Sequence, residues 1–495
     1  MVDVLLTHSY HLLYDQKQRR KMQPYRPLGT LYAAAALRAA GFSVALFDSM
    51  LINPDEEFAA VFAKHTPRVV VIYEDDFNFL TKMCLTRMRE VAWNIAGVAN
   101  KNSVPVIAHG SDATDHPEMF LRNGAEYVLR GEAEQTLVEL CSALISKKQI
   151  GDLDGLVRLN GHGQVVYSSR KISKNPAWDV LPQPPLDLTD FSPYREAWKS
   201  VHGYFSVNMV ASRGCPYQCN WCAKPISGNK FHLRPVDVVA EEMRQLKFEA
   251  GAEHIWFGDD VFALNHRWMA EFAAEVKARD AVLPFKIQSR ADLMTESTVA
   301  ALKAAGCDEV WMGVESGSQK ILDAMNKGLR LSSVNAARER LRKAGIRACY
   351  FLQFGYPGEK WKELQETISF VRRTRPDDIG ISFSYPLPGT IFYEQVKAEL
   401  GPKRNWTDSD DLCVMFHAEY TSDFYRAVRN ALHAEVDSWA KADHITDQKI
   451  SRLWDEVLTF EAASRNPHVS DELRNEIGPV TDLVSIQPLT AASGA

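Results

Sequence analysis

Ser212-Arg213-Gly214-Cys215-Pro216-Tyr217-Gln218-Cys219-Asn220-Trp221-Cys222 decides how the rest of this 495-residue chain is read. Its cysteines are spaced C-x3-C-x2-C, so one short loop can turn three sulfurs toward a common point. Thiolates at that spacing suit an iron–sulfur cluster. A closed structural zinc site needs four ligands, and no fourth cysteine or histidine stands at a zinc-like spacing nearby. The competing readings are a chance grouping of buried cysteines and a zinc site with a distant ligand. In a [4Fe–4S] cubane, three cysteines would leave one iron open to chemistry.

Val207-Asn208-Met209-Val210-Ala211 reads as a short strand running into the loop, and the aromatic Trp221 precedes the third cysteine. On these residues the chain resembles the radical S-adenosylmethionine superfamily, whose signature is C-x3-C-x-aromatic-C. The resemblance implies that Cys215, Cys219 and Cys222 hold the cluster. It also implies that the open iron binds the amino and carboxylate groups of S-adenosylmethionine, whose sulfonium is cleaved by one electron to a 5′-deoxyadenosyl radical. That electron needs an external reductant such as flavodoxin or ferredoxin.

Working outward, the length predicts several domains, and the net charge of -6 gives no footprint for nucleic acid. The basic run Gln16-Lys17-Gln18-Arg19-Arg20-Lys21 reads as a solvated loop. Eight cysteines in this length are not a secreted disulfide framework. Those outside the loop, Cys84, Cys141, Cys307, Cys349 and Cys413, read as buried small apolar residues. Met1-Val2-Asp3-Val4-Leu5-Leu6 lacks the basic start of a signal peptide, and no apolar run approaches a membrane span. The expected location is cytoplasmic.

Residues 1–150 alternate strand and helix, with strands expected at Val2–Thr7, Phe42–Phe47, Arg68–Tyr73, Val104–Ala108 and Tyr127–Leu129. This predicts an α/β, Rossmann-like, doubly wound parallel sheet, which binds ligands beyond the carboxyl ends of its strands. The candidate loops are Thr7–Tyr10, Tyr73–Phe79, His109–Asp112 and Arg130–Glu134. With no G-x-G-x-x-G, a dinucleotide is not expected. Pro27-Leu28-Gly29, Ala40-Gly41, His109-Gly110-Ser111 and Arg130-Gly131-Glu132-Ala133-Glu134, placed ahead of the cysteine loop, resemble the cobalamin-binding domain of the cobalamin-dependent (class B) radical S-adenosylmethionine enzymes.

That resemblance implies a corrin on the strand ends facing the cluster, with Tyr73, Gly110, Ser111, Gly131 and Glu132 as contacts. Many such domains carry D-x-H-x-x-G, whose histidine binds cobalt. Here the first strand runs into Thr7-His8-Ser9-Tyr10-His11, so cobalamin is expected base-off, without that histidine. Glu74-Asp75-Asp76 reads as a solvated acidic turn, and His8 and His11 as ordinary polar residues.

Residues 151–200 read as a linker: a β-hairpin around Asn160-Gly161-His162-Gly163, then a proline-rich stretch. Trp178, Tyr194 and Trp198 are expected to pack between domains. Over residues 201–390 a β-then-α repeat recurs about six times. That count matches the partial (β/α)6 barrel of the radical S-adenosylmethionine superfamily, where functional residues gather at strand C-termini. Gly258-Asp259-Asp260, Gln288-Ser289-Arg290 and Gly313-Val314-Glu315 fall there. Asp259 or Asp260 could hold the amino group of S-adenosylmethionine. Arg290 could pair with its carboxylate, and Glu315 could accept from its ribose; Gln288 is a further contact. Residues 391–495 read as a mainly helical segment that closes over the barrel mouth.

The expectation is an enzyme that abstracts hydrogen from an unactivated carbon of a small-molecule or lipid substrate and transfers a methyl group from methylcobalamin. Oxidation, cyclisation or ring contraction with the same cofactors is the alternative. A non-catalytic cobalamin or electron-transfer module is the reading of another class.

Overall fold

The computed structural model describes residues 1–169, 182–439 and 444–464. Trp178 and the C-terminal tail from 480 lie outside the described residues. Two parallel sheets organise the molecule. The first contains β1 (Val4–Thr7), β2 (Val44–Phe47), β3 (Val69–Tyr73), β4 (Val106–His109), β5 (Tyr127–Leu129), β6 (Leu156–Leu159) and β7 (Val165–Tyr167), in the order β2-β1-β3-β4-β5-β6-β7. β1 to β5 are parallel, and the order reverses between β1 and β3, where a doubly wound sheet opens a crevice.

Successive side chains on a strand point to opposite faces, and the core divides accordingly. Leu5, Val70, Ile72, Val106 and Ala108 pack on one face against Phe58, Phe62, Val91 and Ile95. Val4, Leu6, Val69, Val71 and Ile107 pack on the other against Ala33, Leu37, Leu137 and Leu140. The helix Pro54–His65 supplies Phe58 and Phe62 and was not expected from the sequence. Its start is nonetheless well marked: the Asn53 side chain accepts from the Asp55 N–H, Pro54 opens the helix, and Asp55, Glu56 and Glu57 fill the first turn.

The hairpin expected in the linker forms, but as β6 and β7 it extends the first sheet antiparallel from β5. Residues 151–167 therefore belong to the N-terminal sheet: Leu156 and Val157 are fully buried and complete its two cores. The crossing between sheets carries a helix, Phe191–His202, capped by Asp190. Its Tyr194 hydroxyl donates to Asp48 at 2.6 Å and its Trp198 indole N–H to the Pro24 carbonyl at 2.7 Å.

Next come β8 (Ser206–Met209), β9 (Ser212–Arg213), β10 (His232–Leu233), β11 (His254–Phe257), β12 (Phe285–Ser289), β13 (Cys307–Glu315), β14 (Arg347–Phe354) and β15 (Asp378–Phe383). β9 and β10 form a small antiparallel pair. The other six make a parallel sheet in strict chain order, β8-β11-β12-β13-β14-β15. Without an order reversal, every crossover winds the same way, and the sheet curls into a barrel left open between β8 and β15. On β13, Val310, Met312 and Val314 join the apolar core while Trp311, Gly313 and Glu315 face the interior. After β15 the helices Ile391–Val396, Ser422–Ser438 and His444–Ser464 follow, with Trp406, Tyr420, Phe424 and Tyr425 fully buried among them.

Candidate functional site

A cavity of about 880 Å³ lies between the strand ends of the two sheets and continues into the barrel. One wall is the cysteine loop with Asp260, Gln288, Arg290 and Glu315. The facing wall holds Asp76, Phe77, Phe79 and Ser111, beyond β3 and β4.

The loop is set by its first residues. Gly214 has φ +80°, and a Cβ there would strike the Lys230 carbonyl oxygen, so only glycine makes the turn. Lys224 donates to the carbonyls of Cys215 and Tyr217, closing the loop from behind. The three cysteines are half-buried and reach the cavity. Among the described residues no three His, Cys, Asp or Glu side chains gather around one point as a single ion requires. A cubane does not ask for that, because each thiolate binds a different iron. Burial pushes the Cys222 thiol up to about 12, so a cation at the loop is what would draw off its proton.

The paired aspartates after β11 have different tasks. Asp259 is 1% exposed and turns away from the cavity, accepting from the Ala211 N–H at 3.0 Å and the Ser212 hydroxyl at 2.5 Å. It braces the segment leading into the cysteines, and burial pushes it up to about 7. Asp260 lines the cavity and pairs at 2.5 Å with Lys82, which comes from the N-terminal half.

Arg290 is heavily committed: it donates to Asp292, Lys327 O and Gly328 O and lies 3.8 Å over the Tyr217 ring. Glu315 sits at φ +64° after a register shift in β13 and pairs with Lys327 at 2.7 Å, both buried. A Cβ on Gly313 would stand 2.7 Å from that carboxylate and 2.8 Å from the Lys327 amine. Lys327, which the sequence reading missed, also lies 5.8 Å from the Trp221 ring of the cysteine loop.

On the facing wall, Gly110 (φ +139°) has no room for a side chain, since a Cβ would meet Glu74 carbon atoms at 2.7 Å. The Ser111 hydroxyl and Asp76 Oδ1 are buried without a hydrogen-bond partner beside the cavity. Tyr73, Gly131 and Glu132 do not line it. Tyr73 stacks on His109 at 3.8 Å, the Gly131 carbonyl accepts from His109 Nε2, and Glu132 has a buried, unpartnered Oε1.

Glu74-Asp75-Asp76 is not a solvated turn; all three are under 10% exposed. Glu74 accepts from the Ser9 N–H and Asp75 from Gly29 and Phe77 N–H groups, which offsets part of the desolvation. Burial pushes Glu74 up to about 7. It drives Asp76 well above the carboxylate range against the pull of Arg213 and Lys82.

His8 is buried and paired with Asp48 at 2.9 Å; His11 is buried with neither ring nitrogen hydrogen-bonded. The run Gln16–Lys21 is a short helix rather than a loop; it stays solvated, with none of its residues buried, while Lys17, Gln18, Arg20 and Lys21 also line the cavity. A further residue pair missed in the sequence ties the halves together: Arg213, two residues before Cys215, binds Glu134 at 2.6 Å in full burial.

The arrangement fits both groups implied by the sequence. Three thiolates share one loop beside a cavity with acidic and amide side chains at successive strand ends. The opposite wall offers a close backbone approach at Gly110 and unpartnered polar atoms.

A family model for the B12 binding domain matches residues 23–141, and one for the radical SAM superfamily matches residues 209–371. An uncharacterized methyltransferase of Pyrococcus horikoshii is 27% identical over 434 residues, covering 86% of this chain and 85% of the relative. The hopanoid C-3 methylase of Methylococcus capsulatus is 25% identical, covering 78% and 71%. Among solved structures, the radical S-adenosylmethionine methyltransferase TsrM of Kitasatospora setae, with cobalamin and a [4Fe–4S] cluster bound, superposes with TM-score 0.65 at 18% identity. That match covers 80% of this chain and 74% of TsrM, and it shows a shared fold. With a B12-binding domain and a radical SAM domain joined in one polypeptide, the chain belongs to the cobalamin-dependent radical S-adenosylmethionine enzymes.

Proposed function

We propose that this protein is a methyltransferase acting on an unactivated carbon of a small-molecule or lipid substrate. The observation that carries the reading is the single cavity walled by the cysteine loop and barrel strand ends on one side and by the ends of β3 and β4 on the other. Its methyltransferase relatives support the choice of reaction. When bound, the cluster with S-adenosylmethionine supplies a carbon radical, and the corrin supplies the methyl group.

The chain's own residues hold and orient these groups. Cys215, Cys219 and Cys222 ligate the cluster. Asp260, Gln288 and Glu315 contact S-adenosylmethionine, with Lys327 fixing the Glu315 carboxylate. Arg290 acts mainly by holding Tyr217 and the 327–328 backbone. Ser111, Gly110 and Asp76 face the corrin. This reading takes the corrin base-off and without a histidine ligand; no histidine of the N-terminal half lines the cavity among the described residues. Electrons come from an external one-electron reductant of the flavodoxin or ferredoxin kind. No helix among the described residues is long and apolar enough to cross a membrane.

The test is anaerobic reconstitution of the full chain. Iron near four per chain, a base-off corrin spectrum and transfer of a labelled methyl group from S-adenosylmethionine into product are expected. Cys215→Ala, Cys219→Ala and Cys222→Ala should each abolish cleavage of S-adenosylmethionine. Undiminished cleavage in these variants, or deoxyadenosine production with no methylated product, refutes the proposal.

A further inference from the structure

The cavity has a second end with a different chemistry. Lys17, Arg20 and Lys21 from the helix Gln16–Lys21, and Arg429 and His433 from the helix Ser422–Ser438, line it there. This is the end away from the cysteines. Lys21 feels the charges of Asp378, the first residue of β15, and of Lys286, near the start of β12. The cysteine loop instead follows the finish of β8.

The cations there are unevenly paired. Asp410 is shared by Arg20 at 3.0 Å and Arg429 at 3.5 Å. Arg429 Nε is buried without a partner. Lys17 donates to the Ser409 carbonyl at 3.2 Å, and neither Lys17 nor Lys21 has an ion pair among the described residues. Asp15 is near but already accepts from Gln18 and Ser409, and Asp437 sits exposed at the rim.

The crowding is visible in the titration of its members. Burial, then Arg429 and Lys21, bring Lys17 down to about 8; burial, then Arg429, Lys21 and Lys17, bring His433 down to about 4. Carboxylates are present at this end, yet Lys17, Lys21 and Arg429 Nε are left without a direct carboxylate partner, which leaves them able to take an outside anion.

Between the two ends the wall is aromatic. Trp311 and Phe351 stack at 4.7 Å, and Gly380 makes room for both rings, its Cβ position being 3.2–3.3 Å from them. Tyr385 and Trp406 stack at 4.2 Å beside Phe383.

We propose that the substrate is an amphipathic molecule whose apolar body lies along Trp311, Phe351, Phe383 and Trp406, and whose anionic end group, a carboxylate or phosphate, is held by Lys17, Lys21 and Arg429. The inference rests on the cavity being the active site. Anchoring the charged end at one extreme sets which carbon of the apolar body lies at the other, beside the cysteine loop.

The test is calorimetric titration of the anaerobically reconstituted full chain with decanoate, decyl phosphate and decanol. The anions are expected to bind at least about tenfold more tightly than decanol, the tighter of the two naming the end group. Lys21→Gln and Arg429→Gln should each weaken the anions about tenfold and leave decanol unchanged, whereas Arg429→Lys should retain binding. Asp437→Asn, which removes a competing negative charge, should tighten it. Thermal melts identify any variant that has merely lost its fold, and Asp437→Asn then decides. Equal binding of decanol and decanoate, no binding of any probe, or indifference to these substitutions overturns the proposal. Cleavage of S-adenosylmethionine by the unaltered chain, measured alongside, tests the parent reading separately, so either can fail while the other stands.

Discussion

Glu134→Gln is the sharpest test of how the two halves are locked. Arg213 and Glu134 are 7% and 5% exposed and 2.6 Å apart, so the substitution leaves a guanidinium buried with its main partner gone. Arginine cannot shed its proton to escape. Breaking such a pair costs about 3–5 kcal/mol. Glu132 also acts on Arg213 and keeps part of its compensation, which places the cost near the lower figure, about 3 kcal/mol. For a cooperative unit of about 150–250 residues, the scale of one half of this chain, that corresponds to a fall of about 6–12 °C in melting temperature.

The reverse substitution, Arg213→Met, behaves differently because the stranded carboxylate can protonate. In the intact protein burial pushes Glu134 up, but Arg213 overrides it and holds the group below its ordinary value. The pair's contribution is therefore present above the unfolded carboxylate value and lost as pH falls through the folded one. Without Arg213 only the burial remains and the folded value rises. The penalty is then largest at neutral pH and shrinks as pH falls. Circular-dichroism melts of the full chain between pH 5 and 8 read both effects. A Glu134→Gln melt within about 2 °C of the parent at neutral pH, or an Arg213→Met penalty independent of pH, would refute the reasoning.

Two further outcomes follow from single observations. Gly313→Ala forces a methyl group against the Glu315–Lys327 pair, so affinity for S-adenosylmethionine, measured by equilibrium dialysis, should fall about tenfold while the melt drops only a few degrees, a cost of about 1–3 kcal/mol. Glu359 is pushed up to about 8 by burial, with one oxygen accepting from Gly355 N–H at 2.6 Å and the other unpartnered. A raised folded value means stability is full below the unfolded carboxylate value and lost as pH rises toward 8. Glu359→Gln should therefore flatten the pH dependence of the melt across that window and raise the melting temperature at pH 8.

Much of the architecture was legible because it is written in local spacing. The Val/Ile run before Tyr73 announces a strand buried on both faces, and the six β-then-α repeats from Val207 onward can hardly be laid out other than in chain order. The misreadings share one cause. Both were read by composition: Glu74-Asp75-Asp76 as a charged stretch that belongs in water, though it is buried, and Gln16–Lys21 as a loop, though it is an exposed helix. Their surroundings come from distant chain: Gly29 and Ser9 donate to the acidic turn, and Ser409 and Asp410 receive the basic helix. The hairpin near Asn160 was recognised as a hairpin, but which sheet it would extend depends on β5 having an open edge.

The sequence by itself determined the cysteine loop, because ligands to one cluster can sit within eight residues, and the two α/β halves, because their periodicity is local. Only the tertiary structure decided that Asp259 braces the loop while Asp260 meets the cavity, that Lys327 secures Glu315, and that Arg213 reaches Glu134. The physical reason is that burial and charge pairing are properties of neighbours in space. Adjacent residues such as Asp259 and Asp260 share a sequence context, yet the twist of one strand end turns them to opposite surroundings.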